Sequence, residues 1–210
     1  MKNDVMSSPL FFVGDSEPRG SYVLRIHVSE DIPAMPFGGF KRGKRIAVPA
    51  GEYVYVGSAM GRKGSVCLSK RLLRHASRSG DKDAHAVRKI MLSQFPKMGL
   101  ASTDLHAPAQ KTLKWNVDHL LDVDVADLVS AYIVRSPVVL EPAIGDMLEN
   151  DAHTIVLEKG LGANDRPGST YLLRVEAEQD WWNELGSRLE TLRESVLSKK
   201  GLTCQKPLRE

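Results

Sequence analysis

An α+β domain is the expected architecture, on three observations. Residues 21–28 (SYVLRIHV) and 52–57 (EYVYVG) are rich in β-branched and aromatic types and alternate with the two-residue period of a strand. Residues 67–77 set Leu68, Leu72, Leu73 and Ala76 on one helical face, with Arg71, Arg74, His75 and, just beyond, Arg78 on another. Near the end of the chain, Trp181, Leu185, Leu189, Leu192 and Val196 recur at helical spacing, one stripe of an amphipathic helix.

The elements follow in order. Residues 1–19 read as a loose leader closed by Pro18-Arg19-Gly20, and strand 21–28 comes next. Pro33, Pro36, Gly38, Gly39 and Gly43 break the following stretch into turns. Residues 44–48 form a short strand, and Pro49-Ala50-Gly51 turns the chain into strand 52–57. Gly57, Gly61 and Gly64 mark a loop where unusual backbone angles or close approach are needed. The basic helix 67–77 ends near Gly80, and a second helix over 83–95 stops at Pro96. A loop over 97–112 leads to the compact segment KWNVDHLLD and a strand at 129–134. Residues 141–149 predict a short helix, with Pro142 tolerated in its first turn. Strands at 154–157 and 170–175 flank the turn GLGANDRPG, and a helix over 178–198 closes the chain. This divides the chain into a leader (1–19), a main domain (20–175) and a helical tail (176–210). The tail's apolar stripe is expected to dock on the domain itself, a homodimer or partner contact through the C-terminal helix being the alternative use.

With 210 residues, 42% apolar and 26% charged, the composition is that of a globular protein rather than a disordered or fibrous one. Cys67 and Cys204 form no CxxC pair, which argues against a disulfide framework or zinc cluster and for a reducing, cytoplasmic setting. The apolar run near the N-terminus is too short for a signal peptide, and no stretch reaches membrane-spanning length, so no membrane association is expected. Charge is unevenly distributed. Between positions 41 and 89, 13 Lys or Arg stand against 3 acids; between 115 and 165, 10 acids stand against 2 bases. The first block suits a polyanion and the second could supply a metal-binding carboxylate, unless both are solvated faces. Tyrosines beside a row of guanidinium groups fit a phosphodiester, which needs positive charge and directed hydrogen bonds.

Gly20-Ser21-Tyr22 opening one strand, Tyr55-Val56-Gly57 closing another and the helix pattern RLLRH together resemble the GIY-YIG endonuclease superfamily. The segment FGGFKRGKRIAVPAG between the tyrosine motifs, and GSAxG before the arginine helix, resemble more closely its Uri-type prokaryotic branch. The likeness covers about residues 20–175. It implies a small, mainly antiparallel sheet flanked by helices, DNA as partner, and phosphodiester hydrolysis with one divalent ion, Mg²⁺ or Mn²⁺. By motif position it implies Tyr22 and Tyr55 as the catalytic tyrosines, Arg71 as the catalytic arginine and Glu141 as the metal ligand. Tyr53 competes with Tyr55, and spacing to Gly57 favours Tyr55.

The chemistry suits these types. A tyrosine pair can orient and help deprotonate water once the phenol's usual pKa of about 10 is lowered. Arginine stabilises charge on phosphate oxygens, and a hard cation needs only one carboxylate alongside water and substrate oxygens. Arg74, Arg78 and Lys70 are expected to position nucleic acid, and His75 to contact phosphate, brace Arg71 or serve structure alone. Asp118, in a segment resembling the family's HWHIDYL stretch, is expected to support rather than ligate. Two departures stand out: an excursion at 79–113 longer than the branch's, and Pro142 directly after Glu141, which pushes Glu141 towards a capping position. A nucleic-acid-binding module that has kept the fold without catalysis is the alternative reading.

Overall fold

The computed structural model describes residues 8–14, 17–162 and 169–202. Its strands and helices run β1 (Leu10–Val13), β2 (Gly20–Val28), β3 (Ile32–Pro36), β4 (Arg45–Val48), β5 (Gly51–Ala59), α1 (Leu68–His75), α2 (Val87–Lys97), α3 (Asn116–Leu120), β6 (Ala126–Arg135), α4 (Glu141–Glu149), β7 (Thr154–Val156), β8 (Leu172–Val175) and α5 (Gln179–Lys199). A six-stranded sheet in the order β1-β6-β2-β5-β8-β7 forms the centre, with β3 and β4 in a separate two-stranded sheet. Only the β1–β6 pairing is parallel in the main sheet, so the α+β, mainly antiparallel class holds.

Differences from the sequence expectation have local causes. Leu10–Val13 is a strand inside the presumed loose leader: LFFV has high β propensity and pairs with the open edge of β6, Phe11 stacking on Tyr132 at 4.5 Å between centroids. Ile32–Pro36 pairs with Arg45–Val48 where turns alone were expected, and its prolines sit in a two-stranded ribbon that leaves one side unpaired. The second helix starts at Val87 and passes Pro96 by one residue, and β6 begins three residues before the expected position. The turn beyond Gly162 and Cys204 lie outside the described residues.

Helices cover both faces of the sheet, which explains why most positions of β2 and β5 are buried. The apolar side of α1, Leu68, Leu72 and Leu73, is fully enclosed. From the opposite side α5 lays Trp182 under the Arg25 guanidinium, 4.1 Å from the ring centroid, and the Tyr132 hydroxyl donates to the Trp182 carbonyl at 2.8 Å. The expected stripe on α5 docks on the molecule's own sheet, with Leu185 and Leu189 buried and Leu192 and Val196 packed at its margin. A homodimer through this helix would have to use its other faces. No helix among the described residues is long and apolar enough to cross a membrane.

Because α5 completes the core, Leu185→Ala is expected to lower unfolding free energy by about 2–5 kcal/mol. Urea denaturation checks this; a change within about 0.5 kcal/mol, the range of ordinary surface substitutions, would mark α5 as an appendage.

Candidate active site

Antiparallel pairing sets Tyr22 of β2 opposite Gly57 of β5, and Leu24 opposite Tyr55. The Tyr22 ring lies where a side chain at 57 would be: a Cβ on Gly57 would sit 2.5 Å from the ring Cζ and the hydroxyl oxygen. The glycine of YVYVG is thus required by close approach inside a strand. Tyr55 stands beside Tyr22, ring centroids 6.4 Å apart. Tyr53 shares their face, but its hydroxyl donates to the Pro49 carbonyl at 2.6 Å, away from the pair.

Helix α1 packs over these tyrosines and delivers His75, which is completely buried. His75 Nε2 lies 2.9 Å from the Tyr22 hydroxyl and Nδ1 lies 3.2 Å from Asp118 Oδ1. An ionised Asp118 can only accept, so Nδ1 carries the proton and Nε2 accepts from Tyr22. The other Asp118 oxygen accepts from Arg74 at 2.6 Å and from the backbone N–H groups of Lys114 and Trp115, fixing the start of α3. Lys111, also buried, places its ammonium 3.9 Å from the same carboxylate. The basic face expected on α1 is therefore divided. His75 points inward and reaches no solvent-side phosphate; Arg74 is held by Asp118 and the Thr112 carbonyl. Arg78 lies past the helix end, tied to Asp127 and the Asp83 and Ala126 carbonyls. Lys70 alone of the expected phosphate-positioning residues is exposed.

One small cleft of about 30 Å³, room for about one water, is lined by Tyr22, Tyr55, Gly57, Ser58, Arg71, Trp115, Glu141 and Gly162. The structure thus brings Tyr22, Tyr55, Arg71 and Glu141 together from β2, β5, α1 and α4. Arg71 lies over the Trp115 indole, 5.1 Å from the ring centroid, a cation–π contact that holds the guanidinium at the cleft. Glu141 is the first residue of α4 and Leu140 its N-cap, which corrects the expectation that Pro142 would push Glu141 out into the cap. The buried Ser21 hydroxyl accepts the Leu140 N–H at 3.0 Å and fixes the helix start, so Pro142 falls where no hydrogen-bond donor is needed. The Ser58 hydroxyl donates to the Glu141 carboxylate.

Burial pushes the Tyr22 phenol well above its usual value; the Arg71 charge pulls it back, while Glu141 and Asp118 add to the rise. Tyr55 is raised by burial and by Tyr22, Glu141 and Asp118. Both phenols are neutral at physiological pH. Burial likewise lowers His75, against the pull of Asp118. For Asp118 burial works upward, but the hydrogen bond and charge of His75, the Trp115 N–H and Lys111 outweigh it and hold the carboxyl well below the usual range. Burial brings Lys111 down to about 8. Among the described residues no group of three or more His, Cys, Asp or Glu is placed to share a metal ion. The donor available at the cleft is one hard carboxylate, Glu141, which suits a cation that keeps several waters.

The profile of a family described as a domain of unknown function, DUF123, matches residues 21–194. The chain belongs to this family. Neither the curated proteins nor the solved structures gave a match. The DUF123 segment contains all the cleft residues named above and runs on into α5, past the expected domain end at 175.

Ser58, Trp115 and Gly162 line the DUF123 cleft without having been singled out from sequence, while Asp118 braces Arg74, His75 and the start of α3 from behind the cleft, the supporting place expected of it. Ser58 adjoins Gly57 and Trp115 opens the segment that holds Asp118, so proximity to motif residues was the available signal.

Removing the Asp118 carboxylate leaves Arg74, His75 and Lys111 without their common partner. Asp118→Ala is expected to cost about 3–5 kcal/mol of stability in chemical denaturation. A second outcome concerns pH. His85, whose Nδ1 accepts the Leu128 N–H at 3.1 Å, is lowered to about 4 by burial and the Arg78 charge. Its folded value lies below its unfolded one, so the unfolded chain binds the extra proton between pH 6.5 and about 4, and stability is lost as pH falls through that window. Roughly 3 kcal/mol is expected from this histidine, and His85→Gln should flatten the corresponding fall in melting temperature.

Proposed function

We propose that this DUF123 protein is a metal-dependent endonuclease that hydrolyses DNA phosphodiester bonds. The observation that carries the reading is the joint lining of one cleft by Tyr22, Tyr55, Arg71 and Glu141. The resemblance of the two tyrosine motifs and the arginine helix to GIY-YIG endonucleases supports the same reading.

Glu141 would hold the Mg²⁺ or Mn²⁺ ion, which supplies charge neutralisation and polarises the phosphoryl group. The protein's own groups handle the proton. A phenol raised by burial is a poor free base, but Tyr22 does not have to ionise alone. As an attacking water bonds to phosphorus and gives its proton to the Tyr22 oxygen, the phenol's proton passes along the existing hydrogen bond to His75 Nε2. The bond from phosphorus to the departing deoxyribose oxygen breaks, and that oxygen takes up a proton from solvent. The imidazolium so formed stays paired with Asp118, 3.2 Å away, which stabilises it within a buried site. Arg71, steadied by Trp115, meets the negative charge growing on the phosphate oxygens. Tyr55, whose ring lies 6.4 Å from that of Tyr22 and lines the same cleft, helps orient water and phosphate.

The test uses purified protein with plasmid and branched DNA in Mg²⁺ or Mn²⁺. Cleavage is expected to drop about 10²–10³-fold in Arg71→Ala and about 10²–10⁴-fold in Tyr22→Phe, with metal dependence lost in Glu141→Ala. Undiminished cutting by both Arg71→Ala and Glu141→Ala would overturn the assigned site. DNA binding without metal-dependent cleavage would favour the non-catalytic module.

A further inference from the structure

A second concavity, larger than the catalytic cleft, lies at the other side of the first turn of α1. Its volume is about 310 Å³, and its walls are the Arg62–Gly64 loop, the start of α1 and residues 100–106. Three cations line it, Arg62, Lys63 and Lys70, against one carboxylate, Asp104. All three are exposed, and among the described residues Lys63 and Lys70 form no ion pair, whereas Arg74, Arg78 and Lys82 are each paired with a carboxylate of the protein, Asp118, Asp127 and Asp122. Arg62 comes no nearer than 3.8 Å to Glu17, whose carboxylate already binds Arg19 at 2.7 Å. The Asp104 carboxylate accepts from the neighbouring Ser102 hydroxyl. Among the described residues that line it, the groove thus carries three cations against one carboxylate, Asp104, on which the Lys70 charge acts.

Its position relative to the cleft gives that charge a purpose. The Arg62–Gly64 loop continues the strand that carries Tyr55, Gly57 and Ser58, and Lys70 directly precedes Arg71. Groove and cleft are therefore joined through both the strand and the helix. The first turn of α1 contains no acidic residue and no side-chain cap, so its orphan N–H groups add a favourable dipole for an anion. The far wall comes from residues 100–106, one part of the excursion at 79–113.

We propose that this groove takes the phosphodiester backbone of the DNA strand as it leaves the catalytic cleft, with Arg62, Lys63 and Lys70 each neutralising a phosphate and residues 100–106 forming the wall that keeps the strand on this path. The inference rests on the endonuclease reading above, and it assigns residues 100–106 to substrate binding.

Binding is separated from cleavage by measuring anisotropy of a fluorescein-labelled DNA duplex with single-stranded arms in EDTA, at salt from about 50 to about 200 mM. Every phosphate that is no longer neutralised lowers the slope of log affinity against log salt by roughly 0.9. The triple variant Arg62→Ala, Lys63→Ala, Lys70→Ala is therefore expected to reduce that slope by about 2 to 3. The charge-conserving set Arg62→Lys, Lys63→Arg, Lys70→Arg should keep it, as should Lys199→Ala with Lys200→Ala on the far helix. Near-ultraviolet circular dichroism verifies that each variant is folded. An unchanged slope and affinity in the triple variant, or no DNA binding by the wild type, overturns the groove. Groove-dependent binding by a wild type that cuts nothing in Mg²⁺ or Mn²⁺ overturns the catalytic reading and leaves the groove standing.

Discussion

The rest of the site depends on a single buried carboxylate. Asp118 joins helix α1 through Arg74 and His75, the start of α3 through two backbone N–H groups, and the 79–113 excursion through Lys111. Through His75 it also sets the hydrogen bond that Tyr22 makes. A charge taken out of water is tolerated only when paired and fully hydrogen-bonded, and two of its partners here, His75 and Lys111, are themselves buried polar groups that need the carboxylate. Such a network resists piecemeal change, because losing one member strands the others. It fixes the angle at which α1 crosses the tyrosines, and with it the place of Arg71.

The same network divides the positive block at 41–89 into two parts. Arg74, Arg78 and Lys82 face inward or along the surface to Asp118, Asp127 and Asp122, all members of the acidic second half. The two charge blocks that look like separate solvent faces in sequence are in good part each other's counter-ions. Three further cations of the block, Arg62, Lys63 and Lys70, lie on the loop and first turn beside the cleft. Lys41 and Lys44 form a further inter-block link, both reaching Glu158 and anchoring a turn in which Lys41 and Arg42 take left-handed backbone angles.

Much of this was legible from residue types. Alternation identified β2 and β5, helical spacing identified α1 and α5, and the motif tyrosines, Arg71 and Glu141 were named at their positions. What sequence alone could not supply was direction. Spacing put Arg71, Arg74, His75 and Arg78 on one face, but it carries no information about which face meets protein, so it could not decide whether His75 contacts phosphate, braces Arg71 or serves structure. The strand at Leu10–Val13 was missed because four residues are too few to establish a period and its pairing partner lies more than a hundred positions away. Glu141 was displaced in expectation by a general rule for the residue before proline. The deciding contact, the Ser21 hydroxyl on the Leu140 N–H, is tertiary and has no sequence signature.

The fit of the Tyr22 ring into the space above Gly57 has an evolutionary consequence. Two motifs that stand thirty-five positions apart in the chain describe one volume, so position 57 is not free to take a side chain while the tyrosine at 22 is kept. A descendant that exchanged tyrosine at 22 for a small residue would lift the prohibition on a side chain at 57, and the glycine would then drift without penalty. Within DUF123, a side chain at position 57 would therefore be the fossil of a tyrosine already given up, a mark of lost chemistry visible in a residue that takes no part in it.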